Sequence, residues 1–132
     1  MLINKLNLSF LIILDLGSKY LVYRYLPHLA VLNRGIAFGL FRDYSIPLII
    51  FICIILILLI WSRNKIGLGL DFIIAGAVSN LITRFLFNGY VLDFLQIGSI
   101  HFNLADCFVI VGLILFNNEH KNTLRRRLSA SN

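Results

Sequence analysis

An all-α membrane protein built on four transmembrane helices is the fold class this sequence predicts, and three observations predict it. First, 59% of the 132 residues are hydrophobic and the mean hydropathy is +0.88, against about 45–50% apolar residues in soluble domains. Second, the apolar residues fall into four runs of roughly membrane-spanning length. Third, the charged residues gather at the ends of those runs. The formal net charge is +6, but the basic residues flank spans and form no single patch. That pattern points to topology signals and anionic lipid and away from nucleic acid. The length suits one domain, and Cys53 and Cys107 sit in separate apolar runs, which gives no disulfide framework.

The first run, Leu6–Leu26, follows a basic residue as a signal peptide would. Asp15 and Lys19 inside it, and the lack of a small-residue cleavage site, argue instead for a span. The pair lies at i, i+4 with the acid first, so the two share a face and can neutralise each other inside a bundle. Lys19 is the nearer of the two to the outer side. Pro27–Ser45 is too broken to span: an Asn33-Arg34-Gly35 turn separates Leu29–Leu32 from Ile36–Phe41, with Gly39 as a second flexible point. It suits a short hairpin and an amphipathic piece in the interface. Ile46–Trp61 is a clear span, with Pro47 at a helix start and Trp61 as an interfacial anchor.

The third span covers about residues 67–87. Gly76, Asn80, Thr83, Arg84 and Phe87 recur there at i, i+4, i+7, i+8 and i+11, one helical face that should look inward. Asn88–Ile100 reads as a loop carrying Asp93, and Phe102–Asn117 as the fourth span. Lys5, Arg63, Lys65, Lys121 and Arg125–Arg127 fall on one side, and Arg24, Arg34, Arg42 and Arg84 on the other. The positive-inside rule then puts both termini in the cytoplasm, and Asn33, Arg84, Asp93 and Asp106 at the outer face.

Polar groups next to hydrocarbon persist where they pair or do work, and the stretch Gly76–Asp106 concentrates them. Asp93 and Asp106 can face each other if the loop folds back. Two close carboxyls share a proton, so the ionised one can draw a proton from water while the protonated one polarises a carbonyl. That chemistry is aspartic proteolysis and needs no cofactor. Asn103 followed by Asp106 has the spacing of a helix capping box. A helix start favours the ionised form of Asp106, leaving Asp93 as proton carrier. A metal site on His101, Asp93 and Asp106 is the rival, without an HxxH, HExxH or CxxC spacing to support it. No GxSxG is present.

Five motifs in chain order resemble the lipoprotein signal peptidase (signal peptidase II) family. Asp15, Ser18 and Lys19 are similar to D-x-x-[ST]-K; Asn33, Gly35, Ala37, Phe38 and Gly39 to N-x-G-x-A-F-G. Asn80, Thr83 and Arg84 are similar to N-x-x-D-R, Val91–Phe94 to V-x-D-F, and Phe102–Asp106 to F-N-x-A-D. The resemblance implies one integral membrane peptidase domain over residues 1–132, with spans at about 6–26, 45–62, 67–87 and 102–117 and a small extracytoplasmic β-cradle with an interfacial segment. It implies Asp93 and Asp106 as the catalytic dyad, and Asn33, Asn80, Arg84 and Asn103 as residues that hold substrate. Asp15, Lys19, Gly35, Phe38 and Gly39 would be structural supports. The substrate would be a diacylglyceryl-modified prolipoprotein cut before its lipidated cysteine. The enzyme would be a monomer in the bacterial cytoplasmic membrane, its partners the substrate and the phospholipid bilayer, with no cofactor and no nucleic acid.

The chain departs from the family pattern at Thr83, usually aspartate, which is expected to leave Arg84 leaning on the Asn33 loop. Ser79 and Ala75 replace glycines, which is expected to loosen helix packing, and the Asp93–Asp106 loop is short. Two other functions fit less well. A weakened relative would bind lipoproteins without cutting them. A proton-coupled transporter needs a key acid near the midplane, where only Asp15 lies, already partnered by Lys19.

Overall fold

The protein is described by a computed structural model over residues 2–35, 45–62 and 67–130. Four helices account for most of it: α1 (Leu2–Tyr25), α2 (Ser45–Ser62), α3 (Leu68–Leu86) and α4 (Leu104–Ala130). Between them lie a short 3-10 turn (Pro27–Leu29) and strands β1 (Val31–Asn33), β2 (Val91–Asp93), β3 (Leu95–Ile97) and β4 (Ile100–Phe102). The expected interfacial piece over Ile36–Tyr44, with Phe38 and Gly39 in it, lies outside the described residues, as do Arg63 and Lys65.

α3 is the central helix. It packs against α1, α2 and, along most of its length, α4. Leu56 of α2 meets Leu70 and Ile74 of α3 in the apolar core. At glycines, α3 and α4 approach backbone to backbone. A Cβ at Gly76 would stand 2.4 Å from the Ala105 carbonyl oxygen, and one at Gly69 would stand 2.4 Å from the Phe116 nitrogen. No side chain fits at either position, so glycine there sets the helix separation.

Polarity is inverted relative to a water-facing protein. Asp15, Lys19, Asp71, Ser79, Thr83, Arg84, Asp93, Asn103 and Asp106 are buried, while Ile13, Tyr20, Ile57, Trp61, Phe85 and Ile114 are all more than half exposed. An apolar exterior of this kind suits an apolar surrounding. By length and composition α3 can cross a membrane; the described apolar stretch of α2, Ile49–Leu58, is shorter.

Two expectations about the elements change. Asn88–Ile100, expected as a loop, holds β2 and most of the β3–β4 hairpin, which runs on to Phe102, with Leu95 opposite Phe102 and Ile97 opposite Ile100. β1 pairs with β2, antiparallel, Val31 opposite Asp93 and Asn33 opposite Val91; the second arm of the short hairpin expected there, Ile36–Phe41, lies outside the described residues. The helix expected to end near Asn117 continues to Ala130, because losing hydrophobicity ends a span without ending a helix.

Candidate active site

Each polar group of the site is placed by a local structural reason. In the β1–β2 ladder Asn33 stands opposite Val91, so it is diagonal to Asp93 on the same sheet face. From there its Nδ2 donates to Asp93 Oδ2 at 2.9 Å. Its Oδ1 accepts from the Gly35 N–H at 2.8 Å, closing a turn. Arg34 lies over the Tyr90 ring, 4.5 Å from its centroid. The β3–β4 hairpin then folds the chain back, and Phe94 N–H donates to the Phe102 carbonyl at 3.1 Å. That closure brings Asn103 beside Asp93 despite ten intervening steps of sequence.

Asn103 is the hinge of the arrangement. It is fully buried, and its Nδ2 donates to Asp93 Oδ1 at 2.7 Å. Its Oδ1 accepts from the Asp106 N–H and its own N–H donates to Asp106 Oδ2, both at 3.1 Å. The two bonds to Asp106 are the predicted capping box at the start of α4. One asparagine therefore touches both aspartates. Asn80, one face of α3 further on, donates from Nδ2 to Asp106 Oδ1 at 3.1 Å.

Behind these groups sits the predicted ion pair, Lys19 Nζ to Asp15 Oδ2 at 2.6 Å, with both side chains essentially inaccessible. Lys19 also donates to Asn80 Oδ1 at 2.8 Å and to Thr83 Oγ1 at 3.3 Å. It thereby orients the Asn80 amide with its NH2 toward Asp106. Arg84 donates to the Gly35 carbonyl from one nitrogen and to the Asn80 carbonyl from the other, the latter at 3.4 Å. With Thr83 uncharged, Arg84 leans on the Asn33 loop as expected.

Asp93, in β2, is 1% exposed. Burial pushes its pKa up from the ordinary carboxylate range. The hydrogen bonds from Asn33 and Asn103, and the charges of Lys19 and Arg84, oppose that rise without cancelling it. The proton is thus held more tightly on Asp93 than on a solvated aspartate. The rival metal arrangement with His101 finds no counterpart: among the described residues no three His, Cys, Asp or Glu side chains come together as a ligand set.

The structure thus brings Asp93, Asp106, Asn33, Asn80, Arg84, Asn103 and Gly35 into one cluster, backed by Asp15 and Lys19. Ser79 departs from the expectation of looser packing. It does not loosen the helix: fully buried, it donates to Asp15 Oδ2 at 2.5 Å. The Ala105 N–H, donating to Asp15 Oδ1 at 2.8 Å, was missed altogether. A serine four residues before Thr83, on the inward face of α3, was the available signal for the first; an unsatisfied N–H in the first turn of α4 was the signal for the second.

Residues 8–119 match the family described as signal peptidase (SPase) II. The chain belongs to the signal peptidase II family. A lipoprotein signal peptidase of Rickettsia conorii is 42% identical to it, aligned over 69% of this chain and 52% of that protein. One from Chlamydia trachomatis is 40% identical over 67% and 64%, and one from Caldanaerobacter subterraneus 34% identical over 81% and 88%. The chain spans about half the length of the rickettsial relatives it matches. A solved bacterial membrane enzyme superposes with a TM-score of 0.76 at 26% identity, over 87% of this chain and 85% of that one. A second does so at 0.74. The signal peptidase II motifs lie within the matched residues.

Proposed function

We propose that this chain is a membrane aspartic endopeptidase that removes the signal peptide from diacylglyceryl-modified prolipoproteins, cutting N-terminal to the lipidated cysteine. The observation that carries the reading is Asn103 bonded to Asp93 and Asp106 at once, which holds two carboxyls in one place in different surroundings. Asp106 sits at N3 of α4 and accepts the Asn103 N–H. Burial raises the pKa of Asp93, so in this reading Asp93 is the protonated member of the pair and Asp106 the ionised one.

A water between them loses a proton to Asp106 as its oxygen bonds to the scissile carbonyl carbon. Asp93 gives its proton to the carbonyl oxygen, and a gem-diol forms. On collapse the C–N bond breaks, the leaving nitrogen takes the proton from Asp106, and a gem-diol hydroxyl returns one to Asp93. Both carboxyls finish as they began. Asn33, Asn80, Arg84 and Asn103 orient the dyad and hold the extended substrate.

The apolar exterior and the span-length α3 support four membrane-spanning helices, with the strands forming the cradle on the outer side and both termini in the cytoplasm. In this reading the protein acts as a monomer in the bacterial inner membrane. The test is direct: purified protein in lipid nanodiscs is incubated with one precursor, with and without prior diacylglyceryl transfer. Release of the signal peptide from the lipidated form alone is expected, and EDTA is expected to leave the rate unchanged. Equal cleavage of both forms, or no cleavage of either, would overturn the reading.

A further inference from the structure

Three asparagines donate to the two aspartates of the site, and in each the oxygen end of the amide is held by a donor of its own. Asn33 Oδ1 accepts from the Gly35 N–H at 2.8 Å, which turns its Nδ2 to Asp93. Asn103 Oδ1 accepts from the Asp106 N–H at 3.1 Å, which turns its Nδ2 to the other oxygen of Asp93. Asn80 Oδ1 accepts from Lys19 Nζ at 2.8 Å, which turns its Nδ2 to Asp106. An amide left to itself can present either end to a carboxyl: its NH2 suits the ionised form, and its oxygen suits the protonated one. Two of the three amides are held by backbone. The third is held by a side chain.

Lys19 leaves Asn80 no choice of end. An ammonium has three hydrogens and no lone pair, and Lys19 is 3% exposed, so each partner must present an acceptor to it. Its hydrogens go to Asp15 Oδ2 at 2.6 Å, Asn80 Oδ1 at 2.8 Å and Thr83 Oγ1 at 3.3 Å. The Thr83 hydroxyl gives its own hydrogen to the Ser79 carbonyl at 2.9 Å, so toward Lys19 it can only accept. Uncharged and farther off, Thr83 does not draw the ammonium away from Asn80. The bond to Asp15 is closed within α1. The bond to Asn80 crosses to α3 and fixes a group that touches Asp106 in α4.

We propose that Lys19 is a positioning residue: by holding the oxygen of Asn80 it keeps an N–H donor on Asp106, and so keeps Asp106 the ionised, proton-accepting member of the pair. The inference rests on the peptidase reading. Without the ammonium the Asn80 amide can turn, and its oxygen then accepts the hydrogen of a protonated Asp106. The protonated form gains a bond that Lys19 forbids, and the base is lost at pH values where the unaltered protein has it. The other groups whose charge or proton bears on Asp106 are Asp93 from β2, Arg84 from α3, Asp15 behind Lys19, and the Cys107 thiol next along α4. None of them holds the Asn80 oxygen.

Two experiments test it. The variant Asp15→Asn/Lys19→Met removes the hold on Asn80 and leaves the net charge behind the site unchanged. The acid limb of its kcat/KM profile on diacylglyceryl-modified precursor is expected to move to higher pH by about one unit, with the alkaline limb in place. A lower rate with an unmoved acid limb is what a merely structural support would give, and overturns the inference. Repeating the change in an Asn80→Ala background is expected to move the limb no further; an equal shift there means that Lys19 acts by its field, and also overturns it. The second experiment needs neither a variant at Lys19 nor cleavage. The unaltered protein in micelles carries isotopically labelled asparagine, and the Asn80 NH2 resonance is assigned by its loss in Asn80→Ala. One hydrogen-bonded orientation is expected across the range in which Asp106 titrates, and two exchanging orientations overturn the inference. A single orientation in a protein that cleaves no precursor supports the hold of Lys19 on Asn80 and sinks the peptidase reading instead.

Discussion

Asp15 and Asp93 are equally buried, at 0% and 1% exposure, and their surroundings assign them opposite tasks. Asp15 is saturated by a cation and two uncharged donors: Lys19 at 2.6 Å, Ser79 at 2.5 Å and the Ala105 N–H at 2.8 Å. Asp93 receives two neutral amides, from Asn33 and Asn103, and feels Lys19 and Arg84 only at a distance. Closed by these three donors, Asp15 ties α1 to α3 and α4. A carboxyl held by amides can exist with or without its proton, because the amides compensate burial only in part. The difference lies in the partners, since depth and residue type are the same.

In the peptidase reading the comparison is broken most severely at Asp93 and Asp106. Asp93→Asn and Asp106→Asn are each expected to lower precursor cleavage by at least about a thousandfold, since an amide cannot exchange a proton shared between two carboxyls. Thermal unfolding should change little by comparison. Substantial turnover by either variant would show that the amide-held acid is not the working one.

At Asp15 the expected effect moves from activity to stability. Asp15→Asn or Lys19→Met leaves an uncompensated buried charge, at a cost of about 3–5 kcal/mol each. The double variant should cost less than the sum of the singles. Additive costs in a double-mutant unfolding cycle would mean the pair is not coupled.

Arg84→Lys probes the join between the two regions. A single ammonium cannot reach both the Gly35 and Asn80 carbonyls as the guanidinium fork does. A loss of about tenfold in kcat/KM is expected, with folding retained; parent-like kinetics would reassign Arg84 to surface anchoring.

The smallest effect concerns pH. Asp93 has a raised pKa in the folded protein, so the native state binds its proton more tightly than the unfolded chain does. Its contribution to stability is present below the ordinary carboxylate value and is lost as pH rises through the raised one. Activity that needs the protonated acid falls over the same rise. The Asn33 hydrogen bond favours the anion, so Asn33→Leu is expected to move the alkaline limb of the kcat profile to higher pH. A limb that stays in place would show that another group sets it.

Local features were legible in the sequence. The Asn103–Asp106 capping box, the Asp15–Lys19 pair and the inward face of α3 each depend on spacings of three or four residues within one helix, which the helical repeat dictates. The family resemblance implied a small β-cradle, but the positions and pairing of its strands were not legible, because three residues give no usable alternation and β1 meets a partner about sixty positions away. For the same reason the contact of Arg34 with Tyr90 has no sequence signature. The full length of α4 escaped because hydropathy marks where a helix leaves hydrocarbon and carries no information on where its backbone bonds end.

The glycine seam between α3 and α4 has a consequence for how the protein meets membranes of different thickness. Asn80 rides on one helix and Asp106 on the other, and their 3.1 Å bond spans an interface with backbone against backbone at Gly69 and Gly76. Close approach at both glycines, with the Phe72 and Phe108 rings packed across the same interface, couples the two helices. In the four-span reading proposed above, a thinner or thicker bilayer is met by tilting the two helices together, and the spacing across the site is kept.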